Sequence, residues 1–304
     1  MSDLPTRLDR GRSIGDHAIG DRVGHGPFHA SLGRYAKNPF AVFGFIMLGV
    51  VAFACFFGPV FFPFTSEDAD FENLSAPIDI LSEHPFGTDD LGRDLLIRVL
   101  EGGRVSLGLG FFGAIVAVLI SVIYGGTAGY FGGRLDALMM RCVDILLSVP
   151  FMLLVILINV SLGKNNISLF IAVVVTLWLT PAVIARGQAV SLRRKEFIEA
   201  ARAGGMTAWQ IITQHIAPNL MNIVIVYSSL LVLEVILAES FLSFLGIGVQ
   251  PPAASWGTLI NDGASHIETD PRLLLLPAAM LATVLFCLNY IADGLRDAFD
   301  PNER

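Results

Sequence analysis

Two acids stand inside an otherwise apolar stretch, Glu234 and Glu239 within Leu220 to Phe244. An ionisable side chain at membrane depth is costly unless it is paired or serves a path for ions or substrate. At 3.6 residues per turn the two point roughly 140° apart, so they do not form one acid pair. Glu234 reads either as an acid satisfied by a neighbouring helix or as a residue of a translocation path. Asp89, Asp90 and Asp94 lie close together but lack the spacing and terminal glutamate of a calcium loop, which favours helix capping and salt bridges instead. Gly163-Lys164 lacks the preceding glycine and the following hydroxyl of a phosphate-binding loop, so the chain has no visible means of binding ATP. Cys55, Cys142 and Cys287 show no CxxC or Cys/His spacing, and neither HExxH nor GxSxG occurs. Five of the six histidines lie in tails or outer loops, leaving His215 between two apolar stretches. No catalytic set and no metal site is expected.

The elements that hold these residues are set by composition. Of 304 residues, 54% are apolar and only 15% charged, with a mean hydropathy of +0.65. A soluble domain carries about 25% charged residues, so too few remain here to cover a soluble surface. Disordered, collagen-like and disulfide-scaffold classes are excluded by the same numbers. A helix needs about 20 apolar residues to cross the hydrocarbon core. Six stretches qualify or nearly so: 41–62, 105–124, 145–162 with a start near Ala137, 167–185, 220–244 and 273–292. Backbone groups in lipid must be satisfied within each segment, which makes these helices and the protein an all-α integral membrane protein. With the N-terminus inside, the inner segments hold 15 of the 20 Lys and Arg and the outer ones 5. That asymmetry places both termini in the cytoplasm. The polar first 38 residues lack a signal-peptide core and read as a cytoplasmic tail. Pro59, Pro150, Pro181 and Pro277 lie within the spans, where proline removes a donor and bends a helix.

The loops carry the remaining signals. In the outer loop 63–104, Asp89 to Glu101 has leucines and Val99 on one stripe and charges opposite, the pattern of a short helix lying in the interface. The outer loop 245–272, with Pro251-Pro252 and Trp256, suits a gate or a docking surface. Arg141 and Asp144, three apart, can pair locally. The inner loop 193–218 reads as two short helices. The first spans about Glu196 to Ala203 and ends at Gly204-Gly205, where glycine takes a left-handed cap without steric cost. The second restarts with Thr207 and Gln210 at capping-box spacing, and Pro218 opens the next span. Such a protruding, partly apolar element reads either as a surface that calls for a partner or as a re-entrant or surface-lying connector.

Glu199-Ala200-Ala201, then Gly205, then His215-Ile216-Ala217-Pro218 resembles the EAA loop of bacterial ABC-importer permeases, with Ala217 in place of the more usual leucine. Lys37-Asn38-Pro39, His84 to Gly110, Gly132 to Asp136 with Arg141, Asp144 and Pro150, Glu239 to Gly257, and Asp293 to Asp297 with Asp300-Pro301 resemble the dipeptide and oligopeptide branch of that family. The resemblance implies a six-helix permease domain over 39–304 that forms half of a translocation path for peptides, in the inner membrane. It implies that Glu199, Ala200, Ala201, Gly205, His215 and Pro218 belong to a coupling loop docked on an ATPase. The implied partners are a second homologous permease, two ATPase subunits that hold ATP and Mg²⁺, and an extracytoplasmic binding protein, with membrane lipid around the bundle. No cofactor is expected on this chain. Glu234, Glu239 and Trp256 are the candidates for the path or its gate. Nickel, glutathione and antimicrobial peptides are cargoes of similar relatives. A proton-coupled carrier using Glu234 and Glu239 is the competing reading. A membrane-embedded hydrolase lacks its nucleophile. The net charge of −7 conceals a basic inner face and an acidic outer one, and no nucleic-acid partner is expected.

Overall fold

The computed structural model describes residues 33–63 and 65–299, which are helical throughout apart from connecting segments. The inner tail expected over 1–38 falls largely outside the described residues, as does Asp300-Pro301. Helix α1 spans Pro39–Phe57, with the Asn38 side chain accepting from the Phe40 and Ala41 amides and proline at the first helical position. Its outward side exposes Phe40, Phe43, Phe45, Ile46, Val50 and Phe53, which is the composition of a lipid-facing surface. Helix α2 is Leu95–Phe131, α3 Gly133–Leu147, α4 Phe151–Ser161, α5 Asn166–Leu177 and α6 Leu179–Leu192. Two short helices follow, α7 over Glu196–Ala203 and α8 over Ala208–Ile211. Then come α9 over Ala217–Phe244, α10 over Trp256–Ser265 and α11 over Arg272–Phe299.

Five helical segments are long and apolar enough to cross a membrane: 39–61, 95–131, 166–192, 226–244 and 272–299. The expected third span differs. α3 and α4 meet at a 90° bend across Ser148 to Pro150, and only as a pair do they reach the length of a span. Pro150 has no amide hydrogen to donate and its ring disfavours helix in the residue before it, so the chain turns there.

The interfacial helix expected over Asp89 to Glu101 is not a separate element. Leu95 to Glu101 are the first turns of α2, which runs unbroken for 37 residues. Two of the charges that suggested a surface helix are paired on the spot: Arg98 Nη1 donates to Asp89 Oδ2 at 2.6 Å, and Arg93 Nε to the same oxygen at 2.8 Å. Asp94 caps α2 by accepting from the Ile97 amide at 2.8 Å. Capping and salt bridges are therefore what this acid cluster does. Residues 65–94 form a cap without helix, pinned by two isolated backbone bridges, Ala69 with Arg93 and Thr88 with Asp94. At its centre His84, 5% exposed, bonds through Nδ1 to Asp94 Oδ2 at 2.9 Å and through Nε2 to Asp70 Oδ2 at 3.4 Å.

α2 is the axis of the bundle and packs chiefly against α6 and α9. Gly125 and Gly129 allow the closest approach: a Cβ on Gly125 would stand 2.8 Å from the Arg186 amide, and one on Gly129 2.6 Å from the Arg186 carbonyl. Ala182, Ala185 and Ala189 face them, the small-residue contact that lets membrane helices touch backbone to backbone. Arg141 and Asp144 are both exposed on α3, and no ion pair joins them among the described residues. An arginine N-terminal to its acid is the poorer orientation on a helix. The ion pair of α3 is Asp136 with Arg186 of α6, two hydrogen bonds of 2.9 and 2.5 Å.

Candidate functional site

The helix pair α7–α8 stands at one end of the bundle, and its boundaries follow local chemistry. Glu196 and Glu199 occupy the first turn of α7 and Arg202 the last, each favoured by the helix dipole. The turn after α7 places Gly205 at φ +82°, in the left-handed region where a Cβ is strained. Thr207 and Gln210 form a reciprocal capping box at the start of α8. From Ala208 the helix continues through a π-helical turn, Ile212–Ile216, into α9. Pro218 explains the widening. Its ring would clash with the carbonyl of residue 214 in a regular α-helix, and it has no amide to bond there. The chain between α8 and the expected start at Pro218 is thus helical rather than a break.

Six coupling-loop candidates share this element but face different ways. Glu199, Ala200, Gly205 and Pro218 are exposed, whereas Ala201 and His215 are half-buried. Ile198, Ile211, Ile212 and Ile216 are buried and seat the pair on the bundle. His215 Nε2 lies 3.4 Å from Met206 Sδ, and its ring stacks obliquely on Phe197 at 6.3 Å between centroids. Phe197 on α7 and Trp209 on α8, 43% and 58% exposed, add apolar surface to the pair. The pair thus exposes an acidic residue and two aromatic rings while its isoleucines are buried.

The path candidates lie elsewhere and do not converge. Glu239 is 1% exposed and accepts hydrogen bonds from Ser106 Oγ at 2.9 Å, Ser243 Oγ at 2.7 Å and Ser240 Oγ at 3.3 Å. Ser106 in turn accepts from the Trp256 amide at 3.3 Å, and Ser243 from the Val249 amide at 3.0 Å. The Trp256 ring is fully buried, its indole N–H donating to the Val99 carbonyl at 3.0 Å. One carboxylate therefore ties α2, α9, the 245–255 segment and the start of α10 into a closed knot. Glu234 is exposed on α9 and has no partner among the described residues. Among the described residues no neighbouring helix of this chain satisfies Glu234: five residues from Glu239, it points out of the bundle. With it Tyr227, Leu230, Leu237 and Phe241 form one exposed stripe.

Sequence reasoning passed over three polar nodes. Asn159, fully buried in α4, donates to the Ile247 carbonyl at 2.5 Å and accepts from Ser168 Oγ at 2.6 Å. Its amide inside an apolar run was the signal that could have found it. Ser106 and Tyr130 carried no such signal.

A bundle of helices long and apolar enough to cross a membrane, with a short helix pair between two of them, is an architecture that fits a transport permease. The chain belongs to the family of binding-protein-dependent transport system inner membrane components, whose model matches residues 117–304. Residues 26–77 match the N-terminal transmembrane domain of oligopeptide transport permease C. The chain is 49% identical to the oligopeptide transport system permease protein OppC of Haemophilus influenzae over 89% of its own length and 87% of that protein. It is likewise 49% identical to OppC of Escherichia coli K12, over 89% and 90%. The dipeptide transport system permease protein DppC of Bacillus subtilis is 39% identical over 89% and 84%. The protein is an inner-membrane permease of an ABC import system.

Proposed function

We propose that this chain forms half of the translocation path for di- and oligopeptides delivered by a soluble binding protein, a second homologous permease forming the other half. It crosses the membrane six times, the bent pair α3–α4 counting once, with both termini in the cytoplasm. Two separate ATPase subunits drive it by docking on α7–α8, where Glu199, Ala200, Ala201, Gly205, His215 and Pro218 shape the contact. The chain itself carries out no catalysis and binds no ATP. The observation that carries this reading is the exposed ridge of Phe197, Glu199 and Trp209 on a helix pair whose back is buried in the bundle.

The outward stripe of α9, with Glu234, faces the second permease and the path between them. Glu239 and Trp256 hold the opposite end of the bundle together and act on the gate by position, since neither reaches an open surface in this chain. A carrier driven by protons through both acids would need Glu239 to exchange protons with the path. Its three serine donors and full burial argue against that. In proteoliposomes, peptide accumulation requires ATP, the binding protein and all subunits. Accumulation driven by a proton gradient with this chain alone would overturn the proposal.

A further inference from the structure

The coupling ridge meets the bundle at one aromatic side chain. Tyr130 is the penultimate residue of α2 and, despite that position, is only 8% exposed. Arg193, which caps α6 three residues before α7 begins, donates from Nη1 to the Tyr130 carbonyl at 3.2 Å. Arg202, in the last turn of α7, donates from Nε to the Tyr130 hydroxyl at 3.3 Å, and its guanidinium carbon stands 5.0 Å from the centre of the Tyr130 ring. The carbonyls of a helix's last turn have no partner within the helix and carry the negative end of its dipole. Two guanidinium groups at that end are matched to it in charge. Between them, Arg193 at the end of α6 and Arg202 at the end of α7 clasp the intervening segment onto one residue of α2.

What happens to α2 then reaches the far side of the molecule. The helix is unbroken from Tyr130 back to Ser106, which bonds to Glu239 and to the Trp256 amide. Along the way Gly125 and Gly129 lock it to α6, so its cytoplasmic half cannot slide without carrying α6. The backbone route out of α7 is soft by comparison, since it passes through Gly204-Gly205. A push on α7 is therefore transmitted by side chains into the rod.

We propose that Tyr130 is a coupling residue, the joint through which displacement of α7 is passed to α2 and onward to the Glu239–Trp256 knot. This rests on the reading of α7–α8 as the element that the ATPases drive. Tyr130 touches neither peptide nor nucleotide. It positions the ridge relative to the rod.

The test uses the complete transporter, reconstituted in proteoliposomes with its binding protein and with tritiated trialanine as probe. Four variants are compared with the wild type: Tyr130→Phe, Tyr130→Leu, Arg202→Lys and Arg202→Ala. The readout is peptide accumulated per ATP hydrolysed, alongside co-purification of the ATPase subunits. Tyr130→Leu and Arg202→Ala lower peptide per ATP by about fivefold or more, the lower end of ordinary coupling between sites. Tyr130→Phe keeps the ring beneath the cation and Arg202→Lys keeps the charge, so both retain most of the ratio. ATPase subunits co-purify in wild-type amount. A wild-type ratio in Tyr130→Leu and Arg202→Ala overturns the proposal. So does a loss of uptake matched by loss of ATPase subunits, which would make the clasp an assembly contact only. If the Tyr130→Leu permease itself fails to fold and reach the membrane, Arg202→Ala decides, because its side chain is exposed. A wild-type complex whose ATP hydrolysis ignores the peptide-loaded binding protein would instead refute the reading of α7–α8 itself.

Discussion

Trp256→Ala removes an indole that is fully buried between α10 and α2. The ring lies directly on the α2 backbone, since a Cβ on Gly103 would stand 2.6 Å from it. Little can collapse into the space left behind, and large-to-small aromatic replacements in such places cost ~3–5 kcal/mol. Trp256→Phe keeps most of the volume and loses one hydrogen bond, to the Val99 carbonyl, worth ~1 kcal/mol. In large domains each kcal/mol moves a thermal midpoint by about 2–4 °C, so the shifts expected are ~6–20 °C for alanine and ~2–4 °C for phenylalanine. The assay is the fraction of detergent-solubilised protein that stays monodisperse after heating, with peptide uptake measured on the same preparations. Uptake should fall only as far as folded protein does. A Trp256→Ala protein with a wild-type midpoint and no uptake would refute the packing argument and make Trp256 a gate in its own right.

Gly125→Leu should prevent normal assembly of the bundle, at a cost of ~1–3 kcal/mol or more from overpacking, whereas Gly108→Ala, with open space around it, should be within about 0.5 kcal/mol of neutral; thermal midpoints of the two separate them. His84→Ala leaves the Asp94 and Asp70 carboxylates without their shared partner and should expose residues 65–94 to protease at rates well above wild type. The Arg272 side chain beside Asp270 holds the Asp270 carboxyl below the usual carboxylate range. A depressed folded pKa means its contribution to holding the start of α11 is present at neutral pH. That contribution is lost as pH falls through the folded value, below the unperturbed ~3.9. Asp270→Asn should therefore speed tryptic cleavage after Arg272 at pH 7.5; an unchanged rate would show the pair to be idle. Gly205→Val, forced to hold φ +82°, and Glu199→Lys, reversing charge on the exposed ridge, should each lower peptide transported per ATP, and wild-type uptake in both would remove the coupling role from this loop.

The parts of the fold that sequence alone predicted correctly are those governed by local chemistry. The limits of α7, the left-handed glycine at 205 and the Thr207–Gln210 box depend on residues within one or two turns of each other, and all occur as the spacing implies. The interfacial helix failed for the opposite reason. The spacing places Arg98 on the charged stripe of an interfacial helix, whereas the fold turns it onto Asp89 in the cap and Asp262 on α10. The same holds for Glu239. Its place in the sequence shows a costly acid, but the hydroxyl of Ser106 that satisfies it lies 133 positions away. Pro150 signalled a bend, and only packing set its 90° size. The proposed joint was the least legible of all, since a tyrosine near a helix end is an ordinary interfacial anchor until two arginines from two other elements close on it.

The unbroken run of α2 also fixes an angular relation. Ser106 and Tyr130 are separated by 24 residues, a rise of about 36 Å, with the two side chains set at roughly 240° around the axis. Each is useful only at its own azimuth, one turned toward Glu239 and the other toward α7. A single residue inserted between them would rotate one end by about 100° and advance it by only about 1.5 Å. The helix is thus a phase keeper as much as a rod. Substitutions on its lipid-facing side can vary widely, while its residue count between those two points is held by geometry.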